Sequence, residues 1–85
     1  MIQLPCVNWN GTSRNALLEG YMHALRAIED AMAVLRTTAP NGRDYQTLPD
    51  PGAALERAII QHHARLETLH GVRQELNTLA ESVAP

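Results

Sequence analysis

Two runs of the sequence place apolar side chains at alternating intervals of four and three residues, and this spacing constrains the fold more than any other feature. Such a repeat keeps the side chains along one line of an α-helix, so two helices of this kind pack along a shared seam. The first run has Leu17, Tyr21, Ala24, Ile28, Ala31 and Leu35 in these positions. The second run has Leu55, Ile59, His62, Leu66, Leu69, Arg73, Leu76, Ala80 and Val83. The chain is therefore predicted to form two amphipathic helices.

Capping and helix-breaking residues indicate where both helices begin and end. Thr12 or Ser13 can cap the first helix, and Pro40 prevents its continuation. Asp50 can cap the second helix, because Pro51 after it suits the first helical position. The prediction is one helical domain, residues 1–85, with an arm at 1–11, helix one at about 12–37, a loop at 38–50 and helix two at about 51–83.

The unequal helix lengths raise the question of what covers the longer helix. At a rise of about 1.5 Å per residue, helix one is roughly 36 Å long and helix two nearly 50 Å. We therefore expect an all-α fold, an antiparallel two-helix hairpin in which the C-terminal end of helix two extends past helix one. The extended N-terminal arm is expected to cover this end with Ile2, Leu4, Val7 and Trp9.

The small size of the chain predicts that copies assemble. A domain of 85 residues has a small core, and its single cysteine, Cys6, allows no internal disulfide and no zinc cluster. Further apolar residues widen both helix faces beyond one seam, namely Leu18, Leu25, Met32, Ile60, Val72 and Leu79. Because a wide apolar face requires another neighbour, we expect a homo-oligomer with a closed dimer as its smallest unit.

Charge and hydropathy argue against several classes of partner. The net charge is −2 and the seven basic residues are all arginine, so no basic field is present to hold a duplex nucleic acid. No apolar run approaches the roughly 20 residues that a membrane span requires, and the N-terminus lacks the pattern of a signal peptide. We expect a cytoplasmic protein with no membrane association and no cofactor.

The histidines do not have the spacing of a metal site. His62 and His63 are adjacent, so their side chains diverge by about 100° on a helix, and His70 lies two turns beyond His63. His63 and Glu67 have the spacing of a surface pair. Ser13 is better used as a cap and Cys6 has no predictable base beside it, so no catalytic constellation is present and we expect no enzymatic activity.

Two arginines allow both a structural and a binding interpretation. Arg73 falls on the predicted seam, where it would pair with a carboxylate such as Glu19 or with a ligand phosphate between subunits. Arg43 lies in the loop "PNGRDY", where its planar fork suits a phosphate and Tyr45 suits stacking on a base. In the structural alternative, Arg43 pairs with Asp44 and Tyr45 closes the end of the hairpin.

The same loop has further features of a ligand site. Asn41 and Gly42 tolerate positive φ, and Gly42 lets the backbone approach another group closely. The start of helix two near Gly52 offers amides to an anion, unless Asp50 occupies them as the cap.

The motifs "NGTS" (residues 10–13) and "PNGRDY" (residues 40–45) together resemble those of a family of small helical proteins associated with phages and prophages. In that family a second tyrosine follows the first, where this chain has Gln46. The resemblance covers most of the chain and implies a phage-linked helical hairpin, but it brings no catalytic residue. In size, helicity and need to assemble, the chain also looks like phage counter-defence proteins that hold signalling nucleotides between subunits.

Two functional hypotheses follow from these observations. In the first, a non-enzymatic phage-type protein sequesters a small anionic, nucleotide-like ligand in pockets of an oligomer. Its expected ligand-binding residues are Asn41, Gly42, Arg43, Tyr45, His62 and Arg73. In the second, the hairpin is an interaction or scaffold protein that docks a host or phage protein through an exposed apolar stripe with Leu25, Met32 and Ile60, and the loop is only a turn.

Overall fold

The computed structural model describes residues 1–85 and contains helices but no strand. Helix α1 spans Arg14–Arg36, a short 3-10 helix spans Gly42–Asp44, and helix α2 spans Pro51–Val83. The two long helices pack against each other. The predicted all-α hairpin is confirmed.

Local side-chain bonds explain where the helices begin and end. Ser13 Oγ accepts a hydrogen bond from the amide of Ala16 at 3.2 Å, which satisfies a free donor of the first turn of α1. Asp50 Oδ1 does the same for the amide of Ala53 at 3.2 Å, with Pro51 at the first position of α2. At the end of α1, the hydroxyls of Thr37 and Thr38 donate to carbonyls of the last turn. These residues therefore fix three of the four helix ends.

The seam on α1 follows the predicted line at some positions and is shifted by one residue at the others. The buried or half-buried residues along it are Leu18, Tyr21, Leu25, Ile28, Met32 and Leu35. Leu25 and Met32 are the buried residues of α1, whereas the predicted seam residue Ala31 is exposed. The prediction was wrong here because Leu25 and Met32 have larger apolar side chains than Ala24 and Ala31, and the helix turns to bury the larger pair.

The seam on α2 follows the predicted line closely. Every residue of that line is buried or half-buried except Ile59, which is exposed while Ala58 beside it is half-buried. His62, Ala80 and Val83 are the buried residues of this helix. Arg73 is half-buried and Val72 is exposed, so the arginine keeps its place on the seam.

The end of α2 that extends past α1 is its N-terminal end, whereas the sequence predicted its C-terminal end. Met32 and Arg36, near the end of α1, share a groove of about 280 Å³ with His63, Leu66, Glu67 and His70. From there the 23 residues of α1 reach back about 34 Å, roughly the distance from His63 to the C-terminal end of α2. The part of α2 before His62 therefore extends past α1, and the 3-10 helix contacts it. The prediction was wrong because the loop turns back along α2.

The arm lies along the outer side of α2 and leaves most of its apolar side chains in solvent. Its residues 1–4 line a groove of about 770 Å³ together with Gly71, Gln74, Glu75 and Thr78. Ile2 is half-buried, but Leu4, Val7 and Trp9 are exposed. The arm therefore contributes little apolar burial to the single chain.

The hairpin is long and thin. It measures 62 × 23 × 18 Å, and its radius of gyration is 18.7 Å, against about 12 Å for a compact domain of this length. Five of the 85 residues are buried. A single copy therefore buries little apolar surface.

Candidate functional site

The turn formed by residues 41–45 is held together by its own side chains. Asn41 Oδ1 accepts a hydrogen bond from the amide of Arg43 at 3.1 Å, and Asn41 Nδ2 donates to Asp44 Oδ2 at 3.0 Å. The amide of Asp44 donates to the Asn41 carbonyl, and that of Tyr45 to the Gly42 carbonyl, each at 3.2 Å. This network gives the turn one defined shape. We call residues 41–45 the arginine turn.

The glycine of the arginine turn does not have the backbone conformation that the sequence suggested. No residue of the chain has a positive φ, so Asn41 and Gly42 are not there for that reason. Asn41 instead has extended backbone and caps the 3-10 helix through its side chain. A Cβ at Gly42 would lie 3.8 Å from Leu55 Cδ2, which is an ordinary contact. Gly42 therefore lies against α2 without a steric need for glycine.

Arg43 is the charged group that the arginine turn leaves free. Its side chain is exposed, and its guanidinium makes no hydrogen bond within the chain. Asp44, the partner suggested for it, is bonded to Asn41 instead. Tyr45 beside it is half-buried. The turn thus presents a guanidinium to solvent next to a partly covered aromatic ring.

Asp50 occupies two of the amides at the start of α2. Asp50 accepts from the amide of Ala53 through its side chain and from the amide of Ala54 through its carbonyl. Its carboxylate also places a negative charge at the helix N-terminus, where an anionic ligand would have to lie. The alternative in which Asp50 occupies the helix start as its cap is therefore the one observed.

His62 and Arg73 do not lie with the arginine turn in one chain. Along the α2 axis, His62 is about 17 Å from the start of the helix and Arg73 about 17 Å further on. His62 is only 5% exposed on the seam, and Arg73 is half-buried there. The six residues suggested for ligand binding therefore form one cluster, the arginine turn, and two separate positions.

Polar side chains from both helices line the groove beside the end of α1, and the sequence did not predict that they lie together. Arg36 from α1 lines it together with His63, Glu67 and His70 from α2. The three α2 residues have the four-three spacing of one helix face, but the contribution of Arg36 depends on how the hairpin pairs. The rings of His62 and His63 are 6.3 Å apart and tilted by 47°, so the two side chains diverge as predicted. No three histidine, cysteine, aspartate or glutamate side chains lie together as metal ligands.

Replacement of His62 by leucine is expected to stabilise the hairpin by about 1 kcal/mol. The imidazole is buried on the seam and makes no hydrogen bond within the chain. Every fully buried side-chain nitrogen of the chain has a hydrogen-bond partner. The ring nitrogens of His62 are therefore not fully buried and lie at the edge of the seam. Leucine there adds apolar burial without a polar group to desolvate. Urea denaturation of His62→Leu measures the effect.

The exposed neighbour provides the control. His63→Leu lies on the polar face of the same helix turn and is expected to change stability by less than about 0.5 kcal/mol. A loss of stability in His62→Leu would show that the imidazole has a bonding partner that the single chain does not contain.

The fold and the arginine turn define the chain as a small all-α hairpin whose connection is an ordered turn with one exposed arginine. Neither helix is long and apolar enough to cross a membrane. Comparison with models of known protein families, with curated proteins and with solved structures found no match.

Proposed function

We propose that the protein is a non-enzymatic, phage-type binding protein whose oligomer sequesters a small anionic, nucleotide-like signalling ligand. The observation that carries the proposal is the free guanidinium of Arg43 on a turn whose shape is already set by Asn41 and Asp44. A pre-ordered turn binds with a smaller entropic cost than a flexible loop, because its backbone does not have to be fixed on binding. Sequestration of this kind would act as counter-defence in a host cytoplasm.

Each proposed ligand contact follows from the chemistry of its side chain. The fork of Arg43 suits two oxygens of a phosphate, and the ring of Tyr45 offers a face to a base. Asn41 and Gly42 shape the turn that carries both. The mechanism is retention of the ligand without cleavage of a bond.

A second copy of the chain is required to complete such a pocket. Arg73 lies more than 30 Å along α2 from the start of the helix, by the rise of about 1.5 Å per residue, so it meets an arginine turn only from a neighbouring copy. Arg73 is half-buried on the seam, so part of the residue remains accessible. The burial of His62 favours a packing role for this residue, so the proposal assigns direct ligand contacts to Arg43, Tyr45 and Arg73.

Substitution of Arg43 tests the proposal. In isothermal titration calorimetry with ADP-ribose and with a cyclic dinucleotide as probes, Arg43→Ala is expected to bind about ten- to a hundredfold more weakly than the unmodified protein. This is the loss of a hydrogen-bonded charged contact worth about 1.5–3 kcal/mol. Because Arg43 makes no side-chain bond within the chain, helicity and mass are expected to stay unchanged.

Arg57→Ala serves as the matched control. Arg57 is an exposed arginine of α2, so its removal changes the net charge by the same amount. Equal weakening in both variants would indicate a general charge effect. The absence of binding of either probe by the unmodified protein would contradict the proposed ligand class.

A second candidate function, docking of a host or phage protein, is favoured by the exposed apolar side chains. Trp9 is fully exposed and Ile60 is largely exposed, whereas Leu25 and Met32, suggested earlier for such a surface, are buried. The molecular mass of the purified protein separates the two functions. A closed assembly that forms without any partner favours pockets between copies, and a monomer favours docking.

A further inference from the structure

Helix α1 has a second apolar face that the hairpin leaves uncovered. Its members each precede a seam residue by one position, which rotates this face by about 100° from the seam. They are Leu17, Gly20, Ala24, Ala27, Ala31 and Val34, and we call them the outer face. Leu17 and Ala24 are half-buried at its edge, and the other four residues are exposed. Their three-four spacing is again that of a helix-packing line.

The outer face has no counterpart on α2. The positions that precede or follow the α2 seam by one residue are mostly polar or charged, including Arg57, Gln61, Arg65, Glu67 and Gln74. A helix with two apolar lines at this angle packs against two neighbours, as in a four-helix bundle. The hairpin supplies α1 with one of these neighbours.

Gly20 is evidence that the second neighbour approaches closely. It lies in the interior of α1, where glycine destabilises a helix by roughly 0.5–1 kcal/mol relative to alanine. A Cβ at this position would meet nothing within 4 Å, so the hairpin itself does not require glycine here. Small residues at a helix contact allow short distances between the axes, near 8 Å. Gly20 and the alanines of the outer face therefore fit another helix.

The accessible surface of the chain is large enough to supply a dimer interface. The accessible surface is 6439 Å², roughly 1,400 Å² more than the ~5,000 Å² expected for a compact monomer of 9.4 kDa. A stable interface of standard size buries about 800 Å² on each partner. The excess, which belongs to the whole elongated chain, is larger than the area that one such interface needs on each copy.

We infer that the outer face binds a second copy of this chain, with α1 packed against α1 across a twofold axis to give a four-helix assembly. An isologous contact of this kind uses the same face on both copies. The outer face suits such a contact, because it is the one extended apolar line that the hairpin leaves uncovered on either helix. The inference goes beyond the proposed function, because it locates the surface through which two copies of the chain assemble.

The mass of variants in the centre of the outer face tests this inference. Sedimentation equilibrium of the unmodified protein is expected to give about twice the 9.4 kDa of one chain. The double variant Ala27→Glu/Ala31→Glu is expected to give the mass of one chain, because four glutamates would meet without counter-charges in the contact. The control Ala64→Glu changes an exposed alanine of α2 and is expected to remain a dimer. A double variant that stays dimeric would overturn the inference.

A second measurement needs no variant, and it decides the matter if the double variant does not fold. Val34 on the outer face is 64% exposed in the single chain, and Ile60 on α2 is 61% exposed. In hydroxyl-radical footprinting of the unmodified protein, Val34 is expected to be oxidised several-fold less than Ile60. Equal oxidation of the two residues would overturn the proposed face.

The outcomes also separate this inference from the proposed function. Loss of ligand binding in Arg43→Ala with an intact dimer concerns only the ligand. A dimer that forms through the outer face but binds neither nucleotide probe leaves the interface correct and contradicts sequestration. If the unmodified protein binds a probe and the double variant Ala27→Glu/Ala31→Glu keeps the mass of a dimer, sequestration stands and this interface is contradicted.

Discussion

Met32→Ala is expected to destabilise the hairpin by about 2–5 kcal/mol, the range for truncation of a buried methionine. Met32 is 3% exposed on the α1 seam, so its truncation leaves a cavity between the two helices. A domain of this size has a total stability of only a few kcal/mol. The variant is therefore expected to be largely unfolded at 25 °C, as measured by circular dichroism in a urea titration.

Another methionine of the same helix gives the matched control. Met22 is 43% exposed, so Met22→Ala removes the same side chain from the surface and is expected to cost less than about 1 kcal/mol. Both variants should be compared at equal protein concentration, because assembly links stability to concentration. Equal losses in the two variants would contradict the observed rotation of α1.

Val83→Asp is expected to cost about 3 kcal/mol or more. Val83 is 2% exposed at the C-terminal end of α2, so the change buries a carboxylate without a partner. The helix C-terminus already carries partial negative charge, which adds to the cost. The midpoint of thermal unfolding, followed by circular dichroism, reports the effect.

The control for this change is Val72→Asp on the same helix. Val72 is 39% exposed and has solvent beside it, so the expected loss is about 0.5 kcal/mol, mostly from helix propensity. A small effect at Val83 would mean that this side chain is not buried against α1, and it would contradict the observed register of the two helices.

The two helices could be predicted from the sequence because periodicity and capping agree. Asp50-Pro51 and Ser13 mark helix starts with specific chemistry, and most of the large apolar residues of α2 lie on its four-three line. The seam of α1 was ambiguous because apolar residues occupy both lines. Tyr21, Ile28 and Leu35 belong to either reading, and the volumes of Leu25 and Met32 decide between them.

The register of the two helices, which sets the residues of α1 that lie beside those of α2, could not be predicted, because it depends on the path of the loop. The arginine turn folds back against Leu55, which leaves the start of α2 beyond α1 and brings Arg36 beside His63. Neither contact follows from a local pattern. The turn itself was recognised from "PNGRDY", but the capping role of Asn41 was not, since Asn-Gly more often indicates positive φ.

Native mass spectrometry of the protein purified from bacterial cytoplasm, before and after denaturation, distinguishes sequestration of a ligand from docking of a protein. If the protein sequesters a ligand, we expect an even-numbered assembly that releases a small anionic, nucleotide-like molecule on denaturation, at a fixed ratio of ligand to chains. An assembly whose mass equals that of its chains alone, in cells that contain the signalling nucleotides, would contradict sequestration and shift the function to a protein partner.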